Sequence, residues 1–531
     1  DMGAYENSLA SSSSPLPVSG FVATRATNGA KLSWTKNKKS LSSDDDAENV
    51  QYQIYADGLL KASTASLAYN LSGLTNGITY KISVAALDTT TKLEGAQSIA
   101  ISVTPKYLGP WYVAAGSGAA VSDTSSSDDV GSTNNPLSHL KGAIEIAASG
   151  DTIILQEGKH EGSSDRGRDW GNTKSLVIMG DPALTADKII IDAKGKDRHF
   201  TFDNNEDTTT QIIGLTLANG YDEDYAGSIK IQNASIKLKG VIFENNHSDA
   251  NDYYGAGAIS AYSSSTIIDS CIFDGNYINT DEGRKGGAVN VNWQYDANQI
   301  LTITRSIFKN NYVKSKKDVR GGAISTYYHA IRIENSIFYG NTLTSSVGSN
   351  NSYNAFGGAI YIDNPSYWDS YSSEYKSLNA HVINNTIVNN SIKSDVSGGY
   401  FSGSGVYVSA YNPTNIYIFN NIIRNNKSQR EYDPYNDQII INPGEDANVY
   451  TDYNNIEQFG NSPYKDFGDY TLDVDPAFTD STNKDFTLSN ASLMLGAGAS
   501  TYEGQPAPIV DFKGLARPNP AGSNPDIGAY E

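Results

Sequence analysis

Apolar and polar residues alternate in short runs along residues 16–105 of this 531-residue chain. Alternation of this kind is typical of β-strands that bury one face. Turn signals such as Asn76-Gly77 separate the runs, and Trp34 in the second run is expected to lie between two sheets. The pattern predicts an all-β sandwich in this segment.

From residue 106 onward the pattern becomes a long internal repeat. Versions of one motif, GGAI followed by alternating residues, occur at 226–231, 256–261, 286–291, 321–326, 357–362 and 403–408. A second motif accompanies it, with phenylalanines at Phe243, Phe273, Phe308 and Phe338 and asparagines three positions later, at Asn246, Asn276, Asn311 and Asn341.

The repeat predicts a parallel β-helix over 106–531. A single coil of short strands cannot bury its apolar face, whereas stacked coils share one core and pair their backbone groups with the coils on either side. Phenylalanines are expected to stack inside, and asparagines to form a hydrogen-bonded ladder at a turn, where they tolerate a left-handed backbone. The LxxLxLxxN pattern of a leucine-rich repeat, the rival solenoid, is absent.

A short helix is predicted just before the repeat. Leu137, Leu140 and Ile144 follow helical spacing, and the strand DTIILQEGKH comes directly after them. A helix here is expected to cap the first, otherwise exposed coil.

The first segment resembles a fibronectin type III domain. Leu74 and Tyr80, followed by the alternating Ile82 and Val84, resemble the tyrosine corner of a β-sandwich. The resemblance covers 16–105 and implies a spacer domain, so no site is assigned to it.

The repeat resembles the pectate-lyase-like right-handed β-helix superfamily, from about residue 110 to the end. The final DFKGLARPNPAGSNPDIGAYE resembles the end of secreted bacterial β-helix proteins of the "choice-of-anchor Q" type, and DIGAYE (526–531) is its most specific piece. The resemblance implies a secreted or cell-surface protein. Enzymes of this superfamily act on uronic-acid or other acidic polysaccharides, so the resemblance also implies a polysaccharide ligand.

The hexapeptide DMGAYE (1–6) nearly repeats DIGAYE (526–531). One interpretation is that residues 1–15 comprise the tail of a preceding module and a Ser-rich linker, which would make the chain one period of a tandem array. The alternative is an accident of processing.

The charge balance excludes some partners. The formal net charge is −20 and the pI is near 4.7, which argues against a nucleic-acid partner and an anionic membrane surface. No apolar run reaches the length of a membrane span. The single cysteine, Cys271, lies among Ile and Phe residues and is expected to be a buried, unreactive side chain.

Catalytic motifs are sparse. The chain has no HExxH, GxSxG, CxxC or GxxxxGK[ST] motif. If the Ile and Val residues of the GGAI strands point inward, the outward positions carry one lysine and one aspartate, several coils apart. The basic residues Arg284, Lys285, Arg320 and His329 lie in predicted loops. The candidates for catalysis are therefore Arg320, His329 and Asp363.

Aromatic residues are abundant on the same face. Flat rings beside polar groups suit stacking against sugars, and tyrosine-rich surfaces also bind proteins. The alternative is that these rings pack against one another between coils. The candidates for carbohydrate or partner binding are Tyr262, Trp293, Tyr327, Tyr328, Tyr361, Trp368 and Tyr407.

Three functional hypotheses remain open. The first is a structural or adhesive extracellular protein, or a fibre subunit, that binds itself or a polysaccharide. The second is a polysaccharide lyase or glycoside hydrolase acting on an acidic polysaccharide, and the third is a carbohydrate-binding module that serves a separate enzyme. No cofactor is expected beyond Ca²⁺, for which Asp222 and Asp224 are candidate ligands, with a charged turn as the alternative.

Overall fold

The computed structural model describes most of the chain. The described residues are 14–36, 49–116, 129–169, 174–250, 254–280, 286–345, 354–394, 401–428, 438–459 and 466–531. The hexapeptide 1–6, most of the predicted linker, Arg284 and Lys285 lie outside them. The chain divides into two compact units, Asp1–Tyr112 with Ala120–Leu137, and Val113–Ala119 with Ser138–Glu531.

The first unit contains two antiparallel sheets around one core. In pairing order, one sheet consists of Ser19–Ala26, Gly29–Thr35 and Ala68–Ser72, and the other of Leu59–Thr64, Val50–Ala56, Tyr80–Asp88 and Ile101–Val103. Trp34 from the first sheet and Tyr52 from the second meet edge to face, with ring centroids 5.3 Å apart. The backbone N–H of Thr75 donates to the phenol oxygen of Tyr80 at 3.2 Å, in the segment predicted to be a tyrosine corner. The prediction that this segment is all-β is confirmed, and the fibronectin type III sandwich stays a prediction.

The predicted helix is present as Leu140–Ile146 in the second unit. Leu140, Ala143 and Ile144 are buried, and the Asp165 carboxylate accepts from the Leu140 N–H at 2.8 Å. The Lys174 ammonium donates to the Ile144 carbonyl at 3.1 Å, close to the other helix end. The helix is thereby fixed at both ends to residues of the first coils. The strand Trp111–Val113 precedes it, and a 3₁₀ turn, Ala186–Lys188, lies in a later coil.

The second unit is a parallel β-helix, as the repeat predicts. Each coil contributes one strand to each of up to four parallel sheets, which we call sheets A, B, C and D in the order in which the chain passes through them.

Sheet A carries the GGAI motifs and contains Arg168–Asp169, Phe200–Phe202, Ile229–Gln232, Ile259–Tyr262, Val289–Asn292, Ile324–Tyr327, Ile360–Asp363, Val406–Ala410 and Ile439–Pro443. Sheet B contains Thr152–Leu155, Val177–Gly180, Gln211–Ile213, Ser235–Lys239, Ser265–Asp269, Leu301–Thr304, Ile331–Glu334, Glu374–Ile383, Thr414–Phe419 and Ala447–Asp452. The strand Ser366–Asp369 pairs antiparallel with the start of Glu374–Ile383 and forms a hairpin with it.

Sheet C carries the phenylalanines and contains Gly158–His160, Ile189–Asp192, Thr216–Ala218, Ile242–Glu244, Ile272–Asp274, Ile307–Lys309, Ile337–Tyr339, Thr386–Val388, Ile422–Arg424 and Asn455–Ile456. Sheet D contains Tyr221–Asp222, His247–Ser248, Tyr277–Thr280, Tyr312–Ser315, Thr342–Ser345, Ser391–Ser394 and Lys427–Ser428. A small parallel side ladder contains Val319–Arg320, Ala355–Phe356 and Phe401–Ser402, and two short hairpins pair Phe478–Asp480 with Asp485–Leu488 and Thr501–Tyr502 with Gln505–Pro506.

The predicted phenylalanine stack is confirmed. Phe243, Phe273, Phe308 and Phe338 are fully buried and nearly parallel, with successive ring centroids 4.6, 4.5 and 4.8 Å apart. The separation matches the spacing of neighbouring strands, because each ring lies above its equivalent in the next coil. Cys271 is also fully buried, and burial raises the pKa of its thiol to about 12.

The asparagine ladder is confirmed and is longer than predicted. Each side-chain Nδ2 donates to the side-chain oxygen of the next coil, over distances of 2.8–3.0 Å. Its members are Asn246, Asn276, Asn311, Asn341, Asn390, Asn426 and Gln438. A second ladder joins Asn385, Asn421 and Asn454 at the corner between sheets B and C.

The closing segment 526–531 packs into its own β-helix. Ile527 and Ala529 are fully buried against Ile422 and its neighbours in sheet C. The Asn384 side chain donates to the Asp526 carbonyl at 2.9 Å. The segment therefore covers the outer face of sheet C in the last coils.

Arg517 lies beneath this segment and is almost fully buried. Its guanidinium donates to the carbonyls of Asp526, Gly528 and Ala529, over 2.9–3.3 Å. The same guanidinium pairs with the Glu531 carboxylate at 3.4 Å. One side chain thus links most of the closing hexapeptide.

Among the described residues, none of the helices is long and apolar enough to cross a membrane.

Candidate functional site

The register of sheet A fixes which side chains share a column, and two columns alternate with the buried Ile, Val, Ala and Thr side chains of these strands. One column is Lys230, Ser260, Asn290, Ser325, Tyr361 and Tyr407. The other is Gln232, Tyr262, Asn292, Tyr327, Asp363 and Ser409.

A groove of about 290 Å³ lies over the middle of this face. We call it the aromatic groove. Its lining residues are Tyr254, Tyr262, Asn292, Trp293, Tyr295, Arg320, Ser325, Tyr327 and Tyr361. The polar Asn292 and Ser325 come from sheet A itself, so the groove combines apolar rings with hydrogen-bonding groups, as sugar sites do.

Three tyrosines form one wall of the aromatic groove. The hydroxyls of Tyr262 and Tyr295 are 2.6 Å apart, and their rings meet at 69°. Tyr254 meets the Tyr262 ring edge to face at 5.5 Å. Burial and the hydrogen bond with Tyr295 raise the pKa of the Tyr262 phenol, so this hydroxyl stays neutral at physiological pH.

The second wall is held by a set of ring contacts. Tyr327 meets the rings of Trp293 and Tyr328 edge to face, with centroids 5.1 and 4.4 Å apart. Tyr328 stacks on Trp293 at 4.8 Å and, on its other side, on Tyr375 at 5.8 Å. Tyr328 therefore supports the wall from behind and does not line the groove.

Trp293 and Tyr328 adopt a left-handed backbone, with φ of 49° and 52°. They occupy the corner between sheets A and B, where Asn233 and Asn364 stand in other coils with φ of 51° and 43°. Asparagine tolerates this conformation, whereas bulky side chains enter it at a cost of about 1–2 kcal/mol. Backbone strain of this kind concentrates at functional sites.

A buried ion pair forms the floor. Arg320 extends from the side ladder, and its Nη1 donates to Asp363 Oδ2 at 3.1 Å. The Tyr361 hydroxyl donates to the same oxygen at 2.9 Å, and the guanidinium carbon lies 4.8 Å from the Tyr361 ring centroid. Burial, followed by the negative charge of Asp363, raises the pKa of Tyr361 far above its ordinary value. Two of the three catalytic candidates are thus brought together.

The third catalytic candidate, His329, lies in the core. It is 0% exposed, and its ring nitrogens are 2.8 Å from the Ala330 carbonyl and 3.0 Å from the Ser264 carbonyl. Burial lowers its pKa to about 4. A side chain in this position cannot touch a ligand on the face of sheet A.

Three of the aromatic candidates do not line the aromatic groove. Tyr407 is 9% exposed and packs with Tyr361, Phe356 and Ile440, which is the packing between coils that the sequence left open as the alternative. Trp368 lies on the hairpin beyond sheet B and meets Tyr375 edge to face at 5.1 Å. Tyr328 is the supporting ring described above. Of the seven aromatic candidates, the groove is lined by Tyr262, Trp293, Tyr327 and Tyr361.

Asp222 and Asp224 form a charged turn. Asp222 pairs with Arg198, and its Oδ1 accepts from the backbone N–H of Asp224 at 2.8 Å. Across the described ranges, no group of three or more His, Cys, Asp or Glu is placed to hold a metal ion. The Asp222 carboxylate is thus engaged by Arg198 and by the backbone of its own turn.

A smaller hollow of about 180 Å³ adjoins the aromatic groove and shares Tyr254 and Tyr262 with it. The Lys230 ammonium lies there, 4.2 Å from the Tyr225 ring centroid. Sequence reasoning missed Tyr225 and Tyr254 because they come from the variable loops between sheets D and A, for which the repeat gives no register.

Comparisons with known proteins identify no family for this chain. No family model matches the chain, and no curated protein matches it. Among solved structures, the chain is similar to a family 28 exopolygalacturonase of Yersinia enterocolitica, with 11% identity, 83% of this chain and 100% of that chain covered, and a TM-score of 0.23. It is also similar to pectate lyase Pel9A, with 14% identity, coverage of 79% and 96%, and a TM-score of 0.29. Likenesses this distant carry no argument about activity, and the parallel β-helix rests on the strand pairing described above.

Proposed function

We propose that this chain is an extracellular surface protein that binds a polysaccharide along the aromatic groove without cleaving it. The carrying observation is the groove itself, in which Tyr262, Trp293 and Tyr327 from three consecutive coils present rings above polar groups of sheet A. Consecutive coils are about 4.8 Å apart, so the rings extend along the axis of the β-helix, as an elongated ligand requires.

Binding is favoured over cleavage by the chemistry of the lining. A hydrolase needs two carboxyl groups on either side of the scissile bond, and none of the described residues that line the groove is Asp or Glu. A lyase needs a base that can reach the substrate. Within the described part of the chain, Arg320 is the only basic residue that lines the groove, and it already forms an ion pair with Asp363. A polysaccharide lyase or hydrolase remains the alternative function.

The extracellular assignment and the module assignments belong to the same proposal. Support comes from the resemblance of the closing segment to "choice-of-anchor Q" proteins. The strand order of the first unit supports a fibronectin type III-like spacer. Self-assembly into an adhesive fibre is suggested only by the similar hexapeptides at 1–6 and 526–531. Electron microscopy of the purified chain at neutral pH tests it, because filaments support assembly and isolated particles contradict it.

Affinity electrophoresis against a panel of plant, algal and bacterial polysaccharides tests the binding function. At least one polymer is expected to retard the chain, and Tyr327→Ala and Trp293→Ala are expected to weaken that binding roughly tenfold, about 1.4 kcal/mol. Tyr371→Ala is the matched control, because Tyr371 is 100% exposed on the hairpin and does not line the groove.

Two results would contradict the proposal. Equal loss of binding in the Tyr371→Ala control would show that the groove is not the site. Release of reducing ends or of unsaturated products at enzyme-like rates would replace binding with catalysis.

A further inference from the structure

We infer that the aromatic groove selects a neutral polysaccharide over a uronic-acid polysaccharide, and that Asp363 determines this choice. The inference rests on the proposed binding function and adds the chemical class of the ligand.

Of the residues that the structure describes, the one cation that lines the groove is already paired. Arg320 Nη1 lies 3.1 Å from Asp363 Oδ2, and both side chains are largely buried. A uronate carboxylate entering the groove would meet a guanidinium whose positive charge Asp363 already balances. Displacing Asp363 would leave its charge buried without a cation, which is strongly unfavourable.

Asp363 is also fixed in place. Its Oδ2 accepts from the Tyr361 hydroxyl at 2.9 Å, and its Oδ1 accepts from the Asn364 side chain at 2.7 Å. The carboxylate therefore cannot rotate away from Arg320 without losing several hydrogen bonds. The floor therefore keeps the Asp363 carboxylate beside the Arg320 guanidinium.

The remaining electrostatics also disfavour an acidic ligand. The other lining residues are aromatic or neutral polar side chains, and the chain as a whole carries a net charge of −20. Long-range repulsion slows the approach of a polyanion. Neutral sugars meet no such barrier, and they use the rings and the amide and hydroxyl groups that the groove does offer.

Lys230 is a cation of the adjoining hollow, and its position limits what it can do. It lies in the adjoining hollow, three coils from Ser325 along the same column of sheet A, which is roughly 14 Å. A single ammonium at one end cannot pair with a carboxylate on every sugar of a uronic-acid polymer.

The test compares polygalacturonate with its fully methyl-esterified form, which has the same backbone and no charge, alongside the neutral members of the panel. The full-length chain is expected to bind neutral polymers at least about tenfold more tightly than polygalacturonate. Its affinity for neutral polymers should change little between about 0.05 and 0.5 M NaCl, since no charge pairs form.

Asp363→Asn releases Arg320 and is expected to raise affinity for polygalacturonate about tenfold, in a salt-sensitive manner. Two variants serve as controls. Asp446→Asn changes the net charge equally at an exposed position outside the groove lining, and the double variant Arg320→Gln/Asp363→Asn removes both charges. Neither should gain polygalacturonate binding.

The outcomes separate the two proposals. Tighter binding of polygalacturonate than of every neutral polymer by the natural chain would overturn the neutral-ligand inference and leave the binding function standing. A folded Asp363→Asn variant with unchanged preference would overturn the role of Asp363. If no polymer in the panel binds, the proposed function and the inference both fail. The comparison on the natural chain holds even if the variants do not fold.

Discussion

Single residues carry the clearest functional signal at the corner between sheets A and B. Trp293 stands there with a left-handed backbone, in a position that Asn233 and Asn364 fill in other coils. A bulky residue that is kept in a strained conformation indicates that its side chain serves something other than stability.

We predict that Trp293→Asn separates binding from stability. Relief of the left-handed strain, about 1–2 kcal/mol, offsets the lost stacking on Tyr328, so the free energy of unfolding should change by less than about 1 kcal/mol. Polysaccharide affinity should fall at least as far as in Trp293→Ala. Urea denaturation and affinity electrophoresis measure the two effects, and a large loss of stability would identify Trp293 as a packing residue.

For the asparagine ladder, we predict a loss of stability when a single member is removed. Asn311→Ala removes the acceptor of the Asn276 side chain, a bond of 3.0 Å, and the donor to the Phe273 carbonyl, also 3.0 Å. Buried polar groups left unpaired cost about 1–3 kcal/mol each, so we expect a loss of roughly 3 kcal/mol or more in urea denaturation. The exposed Asn298→Ala is the control and should stay within about 0.5 kcal/mol of the natural chain.

For single side chains, the sequence predicts which face of the sheet a residue lies on better than it predicts how exposed the residue is. The alternation in sheet A correctly places Tyr361 and Tyr407 on the outward columns, yet they are only 3% and 9% exposed. Phe356, in the side ladder, packs over both rings. The alternation does not predict the side ladder, because that ladder is formed by loop segments outside the GGAI motif.

At the scale of elements, the closing segment depends on one buried charge. We predict that Arg517→Met destabilises the last coils by about 3–5 kcal/mol, because the Glu531 carboxylate would stay buried without its cation. Arg517→Lys keeps the charge but loses the forked hydrogen bonds to the segment's carbonyls. Its stability should therefore lie between that of the natural chain and that of Arg517→Met. Hydrogen exchange at Thr386 and Ile422 checks this, and unchanged protection in Arg517→Met would refute it.

The repeated elements were predictable and the connecting ones were not. Inward Ile and Phe recur in each coil, so the sequence predicts their register, and strand pairing confirms it. The segment 363–376 reads as a loop, but most of it folds into the hairpin of Ser366–Asp369 with the start of Glu374–Ile383. The two strands of the hairpin are joined by ring contacts such as that of Trp368 with Tyr375, and the repeat does not predict such contacts.

For the whole molecule, buried histidines predict a loss of stability in mild acid. Burial lowers the pKa of His199, His329 and His381 to about 4, whereas an unfolded histidine titrates near 6.5. Between these values the unfolded chain binds more protons, so stability falls as the pH falls through this window. Burial raises the pKa of carboxyl groups such as Glu531, which opposes the trend.

A single variant isolates the histidine effect. His381→Phe keeps a ring for stacking on Tyr417, whose centroid is 5.0 Å from that of His381, and removes the titrating group. We expect the natural chain to lose up to about 1.4 kcal/mol more stability per pH unit than His381→Phe between pH about 6.5 and 4. Urea denaturation at several pH values measures this, and parallel pH profiles would contradict it.

The long asparagine ladder also has a direction. Every amide donates toward the C-terminal coil, from Asn246 to Gln438, and turning one around would set like groups against each other on both sides. A coil gained or lost in the middle leaves every amide paired. The two ends, by contrast, are not interchangeable, since one is closed by the Gly220 N–H at 2.8 Å and the other by a glutamine. The number of coils can therefore vary without leaving any amide of the ladder unpaired. The donor-to-acceptor direction of the ladder, like the polarity of a filament, is fixed by the different groups at its two ends.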